Sequence, residues 1–193
     1  MYTAQITKPI SKVNYIYENN SIYIDENIDL TTINEQIIHE CIHYLQDSRN
    51  KNGKLNKIGL CNFGKFSVFG LGINEAIVQY ISAKTVKNEV EIIEKYGVRL
   101  KTISPNYYPL LCNLIKQIGY LTGYPVLFES TIYANDSFFK SFKKLLGDNT
   151  AYNIQQGFDK ILLTEEKIIK LNNKLQSTDM SDSKFKYYSS LIT

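Results

Sequence analysis

A chain of 193 residues, 44% hydrophobic and 21% charged, is long enough for one globular domain with a real core. Its net charge of +3, without a basic run interleaved with aromatics, argues against a nucleic-acid partner, and no uncharged apolar run approaches a membrane span. Cys41, Cys61 and Cys112 are odd in number and widely spaced, which indicates neither a disulfide framework nor a thiolate zinc knot.

The N-terminal residues lack the apolar stretch of a secretory signal, so a cytoplasmic location is expected. Residues 13–17 and 21–25 are β-branched and aromatic and flank Glu18-Asn19-Asn20, the pattern of a hairpin. A helix follows. Thr32 and Glu35 have the spacing of a capping box, and Ile33, Ile37, Cys41, Tyr44 and Leu45 recur at helical steps as an expected buried stripe. This helix is expected to end near Ser48, before a polar loop at residues 49–54. Residues 55–72 are Gly- and Phe-rich and read as short strands with a tight turn at Gly70-Leu71-Gly72. Asn74 opens a second helix running to about Asn88. The remainder reads as helical, with segments at 110–121, 126–133 and 137–146, the last capped by Asp136, and then a long final helix. Residues 1–177 are expected to form a single domain and 178–193 a C-terminal tail.

The chemistry lies in His39-Glu40-Cys41-Ile42-His43, which contains the only two histidines of the chain. Helix residues four apart lie roughly 40° apart round the axis, one turn above the other, so both imidazoles can converge on one ion. Glu40 lies about 100° round from His39, beside the ion's open face. There it can take a proton from a water whose pKa a zinc ion lowers to about 7.

A catalytic zinc takes a third protein ligand. Arg49 stands where an extended three-histidine motif would place one. Asp47 shares the straight helix with both histidines, from which three ligands cannot surround an ion, so it is assigned a supporting or surface role. The better candidate is Glu75, within Gly72-Ile73-Asn74-Glu75-Ala76 in the first turn of the following helix. Its plainer alternative is a carboxylate favoured there by the helix dipole. These segments resemble the gluzincins, the thermolysin-like and anthrax lethal factor-like zinc metallopeptidases, over roughly residues 20–85. The resemblance implies His39, His43 and Glu75 as zinc ligands and Glu40 as catalytic base. Two departures stand out. Gln79 replaces the aspartate that orients a ligand histidine in thermolysin-like enzymes, and its carbonyl is expected to accept an imidazole N–H. No second transition-state histidine exists, which makes a tyrosine the expected oxyanion donor. Tyr108 is favoured, because Pro109 biases it toward an extended conformation at a helix entrance, with Tyr107 pointing the other way.

The expected fold is α+β and zincin-like: an N-terminal hairpin or small sheet, the motif helix, the Glu-ligand helix and a helical C-terminal half. The expected activity is zinc-dependent hydrolysis of a peptide or protein substrate, paired to an edge strand at residues 21–25 or 63–69. The alternative is a non-catalytic zincin-shaped binding or effector domain with a structural zinc, against which an intact Glu40 speaks. Deformylase-like chemistry is disfavoured, since it takes a cysteine upstream of the motif and all three cysteines lie within or after it.

Overall fold

A computed structural model describes residues 12–32, 34–63, 68–95 and 97–176. The tail at 178–193 and Ile33 lie outside the described residues. The architecture is α+β, with short antiparallel hairpins set around a helical core.

Strands β1 (Val13–Ile16) and β2 (Ser21–Ile24) form the expected hairpin, with Val13 opposite Ile24 and Ile16 opposite Ser21. Asn20 takes the left-handed conformation in its turn, a conformation asparagine tolerates. Helix α1 (Glu35–Gln46) is capped by Asn34, whose Oδ1 accepts from Ile37 N at 2.9 Å. This corrects the Thr32–Glu35 box: Glu35 is the first helical residue, two places too early for the reciprocal bond. The buried stripe is corrected too. Tyr44 and Leu45 are exposed, at 46% and 62%, while Glu35, His39, Ile42, His43 and Gln46 form the covered face. That face packs on a second helix, so it is hidden although it is polar.

The chain leaves α1 directly into β3 (Asp47–Arg49), which pairs with β4 (Leu55–Ile58), so the helix stops short of Ser48 and the polar loop is a hairpin turn. Strands β5 (Asn62–Phe63) and β6 (Val68–Phe69) pair next. Helix α2 (Leu71–Thr85) begins three residues before Asn74, immediately after Gly70, whose φ of +80° caps it in place of the expected turn. A further hairpin, β7 (Glu91–Lys95) with β8 (Val98–Thr102), stands where helix was expected. Four helices follow among the described residues: α3 (Pro109–Thr122), α4 (Tyr124–Ile132), α5 (Ser137–Leu146) and α6 (Asp148–Gln176). Asp136 sits at the α5 cap position, but its carboxylate pairs with Lys57, and Asn135 Oδ1 accepts from Ser137 N at 2.9 Å instead.

Helix α2 is the central element. Ile73, Ile77, Tyr80 and Ala83 are buried against Leu111, Cys112 and Ile115 of α3, Phe138 and Phe142 of α5, and Phe158 and Leu162 of α6. Its first turn is held from α6: Asp159 accepts from Gly70 N at 3.1 Å and Gly72 N at 2.7 Å. A Cβ on Gly72 would fall 2.2 Å from the Phe158 carbonyl oxygen, so only glycine permits this approach. No helix among the described residues is long and apolar enough to cross a membrane.

Candidate metal centre

Packing of α1 on α2 brings His39, His43 and Glu75 together, although Glu75 is distant in sequence. The His39 and His43 Nε2 atoms are 2.9 Å apart. Glu75 Oε2 lies 3.2 Å from His39 Nε2, and its Oε1 lies 3.3 Å from His43 Nε2. Ligand atoms of a tetrahedral zinc bonded at 2.0–2.1 Å sit roughly 3.3 Å from one another. The donor set, two imidazole nitrogens and a carboxylate, and its spacing therefore fit such an ion, and other divalent metals share these donor preferences. Burial disfavours charge on His43, but the adjacent Glu75 carboxylate outweighs it and raises the imidazole. Burial likewise opposes the charge on Glu75, yet the two histidines hold its carboxyl well below the usual range.

The groups behind the site are not those the sequence suggested. Gln79 does not meet either histidine; its Nε2 donates to Glu35 and, at 3.0 Å, to Ser104 Oγ. Gln46 takes the role instead, with Oε1 3.2 Å from His43 Nδ1. An acceptor there keeps the proton on Nδ1 and leaves the Nε2 lone pair for a metal. Gln46 and Asn74 exchange amide hydrogen bonds at 3.2 and 3.3 Å, and Asn74 Oδ1 also accepts from Leu60 N. Gly59, at φ +49°, passes over this pair: a Cβ there would fall 2.2 Å from Asn74 Oδ1. His39 Nδ1 is buried with no such partner. The helical step of three from His43 to Gln46 was the signal available in the sequence.

Glu40 stands at the cleft beside the ligands, and its Oε2 accepts from the Tyr15 backbone N–H at 2.7 Å. Burial raises its carboxyl, with the two histidines pulling the other way. Strand β1 is pinned in this position by Tyr15, whose hydroxyl donates to Asp47, and by Arg49, which donates to Asp47 at 2.6 Å and to the Tyr17 carbonyl. Asp47 therefore anchors the hairpin and does not approach the ligand cluster.

Two cavities meet at His39, Glu40 and Tyr108. The larger, of about 460 Å³, is lined by His43, Glu75, Tyr15 and the apolar side chains of Phe63, Val68, Leu71 and Leu162. The smaller, of about 220 Å³, holds Tyr107, Gln79, Lys95 and Glu165. Tyr108 lines both, but not from an extended backbone: its φ of 47° and ψ of 48° are left-handed, against the bias Pro109 imposes. Tyr107 is not turned away, since it shares the smaller cavity. Burial, followed by the Glu75 charge, pushes the Tyr108 hydroxyl far above the range in which a phenol ionises in water. No protein-family model, curated protein or solved structure matches the chain.

Proposed function

We propose that the chain is a zinc-dependent peptidase of zincin-like architecture, with His39, His43 and Glu75 as metal ligands and Glu40 as general base. One observation carries the reading: three metal-type donors from two helices converge beside an open cleft, with the Glu40 carboxylate next to them. Structural zinc sites close four protein ligands round the ion, whereas catalytic sites keep a position open, and three donors facing a cleft match the second kind. Zinc held there supplies Lewis acidity, lowering the pKa of a water and polarising a carbonyl.

The chain's own groups do the rest. Glu40 takes the proton of the attacking water and passes it to the leaving amine, a task suited to a carboxyl raised by burial. The Tyr15 N–H holds Oε2, which orients the other oxygen for the water. Tyr108, kept neutral, donates to the developing oxyanion. The apolar wall of Phe63, Val68, Leu71 and Leu162 favours a hydrophobic side chain in the substrate.

The test is a screen of peptide libraries with metal analysis, comparing wild type with Glu40→Gln. The variant should keep one zinc per chain and lose about 10²–10⁴-fold in turnover. Wild-type rates in Glu40→Gln would remove Glu40 as base. A zinc-loaded wild type that cleaves nothing, and that loses its helices on chelation, would mark the site as structural. Tyr108→Phe should lower kcat by about 10–10³-fold with little change in KM, and an unchanged kcat would return Tyr108 to packing.

A further inference from the structure

Glu165, on α6, is 4% exposed, and neither of its carboxylate oxygens has a hydrogen-bond partner among the described residues. Buried carboxylates are ordinarily paired, because a buried unpaired charge is costly, so a group left this way calls for an explanation. Glu165 lines the smaller cavity, which shares His39, Glu40 and Tyr108 with the lining of the larger cleft. The same cavity presents the rings of Tyr107 and Tyr108 and the amides of Gln36, Gln79 and Asn106. A carboxylate, two tyrosines and three side-chain amides in one lining are the kinds of group that receive a guanidinium or ammonium.

We propose that this cavity is a subsite for a basic side chain, arginine or lysine, of a peptide whose scissile bond lies over His39 and Glu40. That the cation arrives on a peptide rests on the peptidase reading; the cation site itself does not. The two oxygens are covered, so the carboxylate meets its ligand by turning about its own side-chain bonds. Lys95 lines the same cavity, and its charge acts on Glu165 in the direction that favours ionisation. It also opposes the incoming cation, which makes it a second handle on the proposal.

The experiment titrates zinc-loaded protein with Nα-acetyl-arginine amide and with its neutral isostere, Nα-acetyl-citrulline amide, followed by NMR shifts of the cavity residues. The arginine probe should bind about tenfold or more tightly than the citrulline probe, and Glu165→Gln should remove that preference. Equal binding of the two probes, or an undiminished preference in Glu165→Gln, overturns the subsite. Should Glu165→Gln not fold, Lys95→Gln decides: a tightened arginine preference supports the subsite, and an unchanged or weakened one overturns it. Peptide pairs differing only in arginine or citrulline beside the scissile bond separate this from the peptidase reading. Cleavage indifferent to the pair overturns the subsite and leaves the peptidase intact. Arginine-selective binding without cleavage of any peptide retains the cation site and removes the peptidase.

Discussion

Glu35 and Glu165 are both carboxylates sunk into the molecule, one at the start of α1 and the other on α6, and their surroundings are opposite. Glu35 accepts from Gln79 and, at 2.6 and 2.8 Å, from Ser104 and Asn88. Among the described residues Glu165 accepts from nothing. The same contrast separates the two histidines, since His43 leans on Gln46 while His39 Nδ1 has no partner among those residues. Satisfied polar groups of this kind fix the frame: Glu35 ties α1 to α2 and to the segment before α3, and Gln46 ties the metal face to Asn74. Of the unsatisfied groups among the described residues, His39 Nδ1 and the Glu165 oxygens belong to residues that line the cavities, whereas Asp47 Oδ1 and Arg49 Nε lie at the hairpin anchor.

The contrast can be broken most sharply at Glu35. Glu35→Ala strips an acceptor from two buried donors and one half-buried donor and should destabilise the fold by about 3 kcal/mol or more, read from denaturant unfolding. A value near zero would mean that the network is not part of the frame. Next comes Gln46→Ala, which should weaken zinc binding by about 10–100-fold in a competition titration while the helices remain. An unchanged affinity would show that His43 is oriented by packing alone. The smallest effect has the opposite sign. Glu165→Leu should stabilise the protein by about 1 kcal/mol at neutral pH, because an unpaired carboxylate gives way to an apolar group of similar size. Burial raises the Glu165 carboxyl in the folded state above its ordinary 4.5, so its penalty is absent below that value and grows as pH rises through the raised one. The advantage of the leucine variant should therefore shrink as pH is lowered toward 4.5. An advantage that is flat with pH would assign it to packing, not to charge.

The motif helix, the N-terminal hairpin, the Glu75 helix and the C-terminal helices were legible because each carries a local signal: turn residues, capping, or apolar residues at helical spacing. The buried face of α1 was not. Hydrophobic periodicity points through Tyr44 and Leu45, yet the face turned inward is the one bearing His39, His43 and Gln46. A helix whose polar residues cluster against a neighbouring helix buries its polar side, and composition alone then indicates the wrong direction. Hairpin β7–β8 was missed although Val98, Leu100 and Thr102 alternate with Arg99 and Lys101 in β8; most of its residues are exposed, and the Glu91–Lys95 sequence of β7 shows no such apolar-polar alternation. Convergence on Glu75 was inferable from spacing and resemblance. Of the supports behind it, Gln46 stands at a readable helical step from His43, whereas the Tyr15 N–H and the clearance over Gly59 depend on tertiary packing that no local pattern encodes.

The clasp between α6 and the start of α2 has a consequence in time. Synthesis runs from the N-terminus, so the helix carrying His39 and His43 is made early, while Asp159 and the Phe158 carbonyl that receive Gly70 and Gly72 come much later. Until then the turn that presents Glu75 has neither its cap nor the wall behind it. A nascent chain therefore carries the two histidines well before the turn bearing Glu75 is held against them, and the three-residue cluster is finished only as the last helix docks.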